Sequence, residues 1–455
     1  MLMLPLGPLS SDWFEFARSL IGDLAPLGHR LQRDEDGITL FIEEPSDHED
    51  KFWEPVHQLQ HYRILLEHRD EILAFERDYE AFFVDPTTFQ PTAVQPILQV
   101  VNFKNPDQMR VLEYLRLSQS VTAGRPVGRR MGLLIWDIGQ AGGPKIFGGA
   151  MLASARFSQR IRDQRFGWPP DYPKTSSKHD SVARALRVTG LGRIMQLSMA
   201  CAVPPYSVLS GARLVALAPF TAAGLESFRR SLKVPDVHAD LAAIVTTTGK
   251  GISGSPFHGH RVGQLAPGVV AAEGARGDLY AKVKVPPEIN PLRASFESLV
   301  GDSTRARALT LFRAEKPERY AQLRRPERSA MAYCLRRLGL RRWIYEGNEI
   351  GVHLGILGSA TLPSLQSGKP RSSSNRPLID WDQAVGVWSR RFLPAPENVG
   401  ESADEDGKAA HRKARQARLE RARELNADSY RLSSRLADTG CRAVPIAVGE
   451  AISRV

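Results

Sequence analysis

Residues 145–154 read KIFGGAMLAS, an apolar run that contains the glycine pair Gly148-Gly149. Two further apolar runs follow along the chain, GARLVALA over 211–218 and LAAIVTTT over 241–248. Short apolar runs bounded by glycine and polar residues are typical of buried strands. We therefore predict that these three segments form the centre of a sheet. Functional sites are expected in the polar loops at its rim.

The segments around these runs predict a mixed architecture. Upstream, MGLLIWD over 131–137 has the composition of another strand, and strands then alternate with helical or loop segments until about Val285. Alternation of this kind is typical of α/β or α+β proteins. We predict a mixed central sheet with a mainly helical region before it and a basic helical region after it.

Composition changes along the chain predict five parts. The prediction is a mainly helical N-terminal region over 1–105, an α/β core over 106–290, a basic helical region over 291–360, a linker rich in Ser, Gly and Pro over 361–377, and a charged, partly disordered tail over 378–455. Within the first part, GITLFIE over 37–43 is predicted to be a short strand, and the proline-containing segment 84–105 a connector. The run GARLVALA is assigned to the core as a strand.

The overall composition is that of an ordinary globular protein. The chain has 455 residues, of which 42% are hydrophobic and 24% charged, and it lacks an apolar run of the roughly 20 residues that a membrane helix needs. Its three cysteines are far apart in sequence, which disfavours a disulfide scaffold or a zinc ribbon. We expect a cytoplasmic protein without membrane contact.

The net charge of +11 favours contact with a polyanion, since lysine and arginine displace counterions from phosphates. The alternative is that the charge serves only solubility. Arginines are concentrated after residue 300, and the residues predicted to contact nucleic acid are Arg324, Arg325, Arg336, Arg337, Arg341 and Arg342.

Glycine inside an apolar strand has two interpretations at Gly148 and Gly149. The pair could mark a bulge that exposes backbone amides to a ligand such as an acyl-CoA arm, or it could allow close packing of another backbone. Both residues are candidate ligand-binding positions.

The segment IRDQRFGW over 161–168 combines cationic and aromatic side chains. Arginine can hold a phosphate bidentately and an indole can stack on a base, so Arg162 and Trp168 are candidate ligand-binding residues. Asp163 could position an arginine or act as a base. The alternative is a salt-bridge cluster capped by a core tryptophan.

Three loops carry weaker signals. GKGISG over 249–254 could direct Lys250 and backbone amides at phosphate, but it lacks the Walker spacing and an ordinary turn is the alternative. Tyr206, in VPPY over 203–206, is a candidate proton carrier within a rigid turn. His258 and His260 have no nearby cysteine or carboxylate pair, so no metal site is predicted.

Taken in order, several blocks resemble the DruA-like family, named for a component of the Druantia anti-phage defence system and also found fused to transposase-like proteins. The blocks are GRPVGRR over 124–130 leading into LLIW over 133–136, FGGAMLAS over 147–154, IRDQRFGW over 161–168, RIMQL over 193–197, VPPYSVLSGARLV over 203–215 and VTTT over 245–248. The resemblance covers roughly Met109 to Pro287. It implies a bacterial defence protein that acts with partners on or near foreign nucleic acid.

Three functions therefore stand as hypotheses. The first is a defence protein that contacts DNA or another nucleic acid, together with other defence-system proteins. The second is a GNAT-like acyltransferase, with Gly148-Gly149 at the cofactor bulge and Tyr206 or Asp163 as proton carrier. The third is a non-catalytic scaffold for defence or transposon partners. The cofactor, if there is one, is unknown from the sequence.

Overall fold

A small sheet and a large sheet organise the chain in the computed structural model. The structure describes residues 2–6, 11–24, 30–34, 37–42, 58, 61–119, 128–168, 179–232, 240–249, 256–257, 260–266, 277–284, 300–323, 326–338, 350–356, 361–367, 378–393, 413–414, 416–422 and 431–434. The small sheet has three antiparallel strands in the order β1-β3-β2, which are β1 (Leu2–Leu6), β2 (Arg30–Asp34) and β3 (Gly37–Ile42). The strand predicted over 37–43 is thereby confirmed.

The large sheet has seven strands in the order β4-β5-β6-β7-β8-β10-β9. They are β4 (Pro96–Val100), β5 (Arg130–Asp137), β6 (Lys145–Ser154), β7 (Ile194–Ala202), β8 (Ala243–Gly249), β9 (Tyr280–Lys282) and β10 (Ile350–Gly355). All neighbours are antiparallel except β7 and β8, which run parallel. The predicted mixed central sheet with flanking helices is confirmed.

The helices before residue 300 mostly serve the large sheet. They are α1 (Ser11–Leu24), α2 (Arg69–Asp78), α3 (Pro106–Ser118), α4 (Arg160–Arg165), α5 (His179–Gly192), α6 (Gly211–Val215), α7 (Ala222–Arg230) and α8 (Val262–Leu265). Asn105 caps α3 by accepting from the backbone amides of Asp107 and Gln108. Strand β6 is buried from Lys145 to Ala153, as expected for an apolar run covered on both faces.

The later helices are α9 (Asp302–Glu315), α10 (Pro317–Ala321), α11 (Glu327–Arg337), α12 (Thr361–Ser367) and α13 (Trp381–Phe392). Helix α1 packs against α9 and α11 in a separate apolar cluster that includes Phe16, Leu20, Phe312 and Leu335. None of the helices that the structure describes is long and apolar enough to cross a membrane.

The strand predicted over 211–218 is wrong. This segment forms α6 and a 3-10 turn over Ala218–Phe220. Its alanine and leucine residues suit a helix at least as well as a strand, and a short apolar run does not distinguish the two by periodicity. The buried side chains Leu214 and Val215 still belong to the core beside the sheet.

The five-part division of the chain stays a prediction, but several of its element assignments change. Strand β4 lies in the segment predicted to be a connector, and β10 lies in the region predicted to be helical. Residues 361–367 of the predicted linker form α12, whose Leu365 is buried. The predicted tail contributes α13 and residues 416–422, and Trp388, Leu419 and Leu432 are in the main core. These segments complete the core through contacts that are remote in sequence.

Candidate functional site

The pairing between β7 and β8 stops early. Only Ile194, Met195 and Gln196 pair with β8, at Ala243, Ile244 and Val245, although both strands continue further. At this point the hydroxyl of Thr246 donates to the carbonyl oxygen of Leu197 at 3.3 Å. The two strands therefore part at their C-terminal ends, on the edge of the sheet where a parallel pair most often carries a ligand.

The glycine pair lies next to this opening and not within it. Gly148 pairs with Ile135 on one side and Ala202 on the other, and Gly149 pairs with Leu134 and Cys201. A Cβ atom on Gly148 would overlap with the carbonyl oxygen of Cys201, and one on Gly149 would lie 2.8 Å from the carbonyl oxygen of Leu133. The register of β6 shifts beside the pair, between Ile135 and Trp136 of the neighbouring strand. The geometry agrees with the packing interpretation, and the ligand-binding role of the two glycines stays a prediction.

Arg162, Asp163 and Trp168 come together, as the motif suggests, but inside the protein. The Arg162 side chain is fully buried and donates through Nε and Nη2 to Asp163 Oδ1 at 2.8 and 2.5 Å. Its Nη1 and Nη2 also reach the carbonyl oxygens of Arg156 and Phe157. Burial lowers the pKa of the Arg162 guanidinium, and the charge of Asp163 opposes that shift.

The partners of Asp163 occupy its carboxylate on several sides. Its Oδ2 accepts the backbone amide of Gln159 at 3.0 Å and lies 3.7 Å from Arg187 Nη2. The Trp168 indole donates to the carbonyl oxygen of Leu365 in α12 at 3.0 Å. The motif therefore connects α4, the loop before it and α12 through buried polar contacts. Its predicted catalytic and ligand-binding roles remain predictions.

Tyr206 is also buried, and its hydroxyl is engaged. It donates to Asp137 Oδ2 at 2.7 Å, and its ring stacks on Phe147 with the centroids 4.4 Å apart. Asp137 also accepts from Gln140 Nε2 and from the backbone amides of Gln95 and Gly139. This buried network joins β5 to the segment after β7. The predicted role of Tyr206 as a proton carrier stays a prediction.

Several predicted residues lie outside the described part of the chain, namely Lys250, His258, Arg324, Arg325, Arg341 and Arg342. His260 is buried, with Nε2 at 2.6 Å from the carbonyl oxygen of Pro256. Among the described residues, no three His, Cys, Asp or Glu side chains are grouped so that they could hold a metal ion.

Arg336 and Arg337 lie on α11 and are exposed. Arg337 is 3.8 Å from Glu315 Oε2 and lies over the Trp13 ring at 5.5 Å from its centroid. The same helical region carries further exposed cations on α9, on α10 and between them, which are Arg307, Arg313, Lys316 and Arg319. Some of this charge is locally balanced, because Arg307 also pairs with Glu15 at 3.4 Å.

A second cationic group was not predicted from the sequence. Arg213 of α6, Arg391 of α13 and Arg418 place their guanidinium carbons 5.8, 5.4 and 5.3 Å from the centroid of one ring, that of Phe392. We call these three residues the arginine cluster. They come from three separate segments, so no local sequence pattern predicts that they lie close together. Burial, followed by the charges of Arg391 and Arg418, lowers the pKa of Arg213.

The arginine cluster borders an open pocket between α6, α8 and α13. The pocket is shallow and open to solvent. The residues that line it are Arg213, Leu214, Leu217, His260, Arg261, Gln264, Leu265, Ala384, Val387, Trp388, Arg391 and Phe392. Among the lining residues that the structure describes, every charged side chain is an arginine. We call this space the arginine pocket.

Comparison with known protein families gives a match over part of the chain. The family model described as Druantia protein DruA matches residues 47–233, which include β4 to β7 and α2 to α7. The match begins and ends earlier in the chain than the range from Met109 to Pro287 on which the sequence resemblance rests. Searches of curated proteins and of solved structures found no match.

Proposed function

We propose that this chain, which belongs to the DruA-like family and is a Druantia-type defence protein, contacts foreign nucleic acid through the basic face of α9, α10 and α11. The observation that carries this proposal is the set of exposed cations on those helices, within a chain of net charge +11. Phosphate contacts of this kind confer affinity without sequence preference.

The cations on this face differ in their surroundings. Arg305 and Arg307 are within 3.5 Å of Asp302 and Glu15, so part of their charge is neutralised locally. Arg313 lies over the Tyr320 ring, 5.7 Å from its centroid, and Lys316 and Arg319 follow in the chain, just before and within α10. We therefore expect Arg313, Lys316, Arg319 and Arg336 to contribute most to binding.

A salt titration of binding tests the proposal. Duplex DNA, single-stranded DNA and RNA would each be titrated at several salt concentrations. The variant Arg313→Gln/Lys316→Gln/Arg319→Gln/Arg336→Gln should bind more weakly and lose up to about 3 to 4 units of the logarithmic salt slope for duplex DNA, since each phosphate contact contributes about 0.9.

The control variant removes the same charge from exposed cations elsewhere, as Lys104→Gln/Arg160→Gln/Arg184→Gln/Arg230→Gln. It should keep most of the salt slope. Equal losses in the two variants would mean that net charge alone attracts nucleic acid. If the unaltered protein binds none of the three nucleic acids at low salt, the proposal is wrong.

A GNAT-like acyltransferase is a second candidate because of the opening between β7 and β8. Where a parallel ladder stops, the facing backbone groups of both strands can pair with an extended ligand such as the pantetheine arm of acyl-CoA. The opening is not at Gly148-Gly149, where the GNAT-like interpretation expects it. Asp163 and Tyr206, the predicted proton carriers, are both buried and hydrogen-bonded, which weighs against catalysis by them.

Calorimetric titration with acetyl-CoA tests the second candidate. Binding at micromolar to millimolar concentration, abolished by a larger side chain at the opening such as Ala200→Phe, would favour it. The matched variant Ala223→Phe places the same side chain on α7, which is outside the opening. An absence of heat over the whole concentration range would argue decisively against acyl-CoA binding.

A further inference from the structure

We propose that the arginine pocket binds a phosphate group, supplied either by a free nucleotide or by a nucleic-acid backbone. The pocket lies between α6, α8 and α13, apart from the basic face of α9 to α11. If the phosphate belongs to a nucleic-acid backbone, the proposal rests on the proposed nucleic-acid function. If it belongs to a free nucleotide, the proposal is independent of that function. Neither the family match nor the sequence motifs assign a ligand to this position.

The first argument is the charge of the lining. Arg213, Arg261 and Arg391 are its charged side chains, and no carboxylate is among the lining residues that the structure describes. The acidic residues on neighbouring described segments do not line the pocket; they are Asp278, which forms a β-bridge with Arg261, Asp380 and Asp382 at the start of α13, and Glu420 beside Arg418. An anion that enters the pocket therefore meets three guanidinium groups.

The second argument is the convergence of the arginine cluster on one ring. The face of the ring attracts each of the three cations. Burial lowers the pKa of Arg213, and the charges of the two neighbouring guanidinium groups lower it further. A phosphate bound here would accept bidentate hydrogen bonds from planar guanidinium groups that already lie close together.

The third argument is that the cluster is held in place and remains accessible. Phe392 is buried and Trp388 donates to the carbonyl oxygen of Ser210 at 3.3 Å, which fixes α13 against the segment that carries Arg213. Leu419 and Ala422 are in the core and hold the segment of Arg418 in position. Arg391 and Arg261 are exposed at the mouth. A preorganised, half-open cluster loses little entropy when it binds an anion.

The test compares neighbouring arginines on one helix. Arg391→Gln removes a pocket residue, and Arg390→Gln makes the same change at an exposed neighbour outside the pocket. Calorimetry with ATP, with pyrophosphate and with a short single-stranded DNA gives the affinities. We expect Arg391→Gln to weaken binding about tenfold, Arg391→Gln/Arg418→Gln to weaken it further, and Arg390→Gln to change it less than about twofold.

Thermal unfolding provides a second readout of binding to the pocket. Pyrophosphate should raise the melting temperature of the unaltered protein and of Arg390→Gln, but not that of Arg391→Gln/Arg418→Gln.

The possible outcomes separate this proposal from the nucleic-acid function. If DNA binds but all pocket variants bind it like the unaltered protein, and ATP and pyrophosphate do not bind, the pocket proposal is overturned and the wider function stands. If ATP or pyrophosphate binds through the pocket and DNA does not, the phosphate site stands and the nucleic-acid function fails. Equal losses in Arg390→Gln and Arg391→Gln would overturn the pocket.

Discussion

Arg162 is a guanidinium group that the fold has taken entirely out of water. It compensates for burial through the carboxylate of Asp163 and the carbonyl oxygens of Arg156 and Phe157. Removing one member of such a group leaves the others buried without their partner, which costs much more than the intact pair contributes. We therefore expect substitution of Arg162 to lower the stability of the folded protein.

We predict that Arg162→Gln lowers the free energy of unfolding by about 3 to 5 kcal/mol, the usual cost of breaking a buried ion pair. The exposed neighbour Arg160 provides the control, and Arg160→Gln should change stability by less than about 0.5 kcal/mol. Urea unfolding followed by circular dichroism measures both. A fully stable Arg162→Gln variant would show that the contacts around Asp163 are dispensable.

The sequence could predict which residue types gather here, but not whether they face solvent. IRDQRFGW indicates an arginine-carboxylate-aromatic group, and the structure has one. Its burial depends on α12, whose Leu365 carbonyl accepts from the Trp168 indole although 197 positions separate the two residues. The arginine cluster was missed for the same reason, since its three arginines meet only in the folded chain.

At the scale of elements, the strands on either side of β6 leave little space for side chains at Gly148 and Gly149. Both residues pair on both sides, and side chains there would meet the backbone of Cys201 or Leu133. The apolar pattern was sufficient to predict β6 and β8 as strands. It was insufficient for residues 211–218, where alanine and leucine fit either a helix or a strand.

We predict that Gly148→Ala destabilises the protein severely, to the point of poor folding at 37 °C, because β5 and β7 leave no space for a Cβ. Gly22→Ala is the control, since it lies in α1 with nothing within 4 Å of a Cβ and should be neutral or stabilising by up to about 1 kcal/mol. Soluble yield and melting temperature report the difference. A well-folded Gly148→Ala protein would reopen the ligand-binding interpretation of the pair.

The C-terminal segment is a second element whose position depends on a single buried group. The Glu76 carboxylate on α2 accepts from the Tyr114 hydroxyl at 2.7 Å, from the Leu432 amide at 2.6 Å and from the Ser433 hydroxyl. Leu432 is buried in the main core. The carboxylate thereby joins α2, α3 and a segment more than 350 positions away.

We predict that Glu76→Gln lowers the free energy of unfolding by about 1 to 3 kcal/mol, because an amide has one acceptor oxygen where the segment 431–434 uses two. Protease cleavage after residue 430 should become faster in the variant. Glu80→Gln, at an exposed position just after α2, should leave both properties unchanged. Unchanged cleavage in Glu76→Gln would mean that Leu432 alone retains the segment.

At the scale of the whole molecule, the large sheet and its core are built from segments between residue 96 and beyond residue 430. The boundaries between regions of different composition therefore do not coincide with boundaries in the structure. The family match ends at residue 233, whereas β8, β9 and β10 complete the sheet after it. The sequence predicted the fold class because apolar patterns are local. It could not place β10 between β8 and β9, since that order is set by contacts between distant segments.

Buried thiol and phenol groups make the stability of the whole molecule depend on pH in the alkaline range. Burial raises the pKa of the Cys201 thiol from its usual 9.0 to about 12, and it has the same effect on Cys334. It also raises the pKa of the Tyr114 and Tyr280 hydroxyls above the usual 10.0. Because the folded state holds these protons more tightly than the unfolded state, their contribution to stability is complete below the unfolded pKa values and declines above them.

We therefore predict that the melting temperature falls as the pH rises from about 9 towards 12, the interval between the unfolded and folded thiol pKa values. In the variant Cys201→Ala/Cys334→Ala the fall should be shallower, since the unfolded chain then has fewer groups to deprotonate. Thermal scans at one-unit pH steps measure both slopes. A double-cysteine variant with the same slope as the unaltered protein would show that the buried thiols do not control alkaline unfolding.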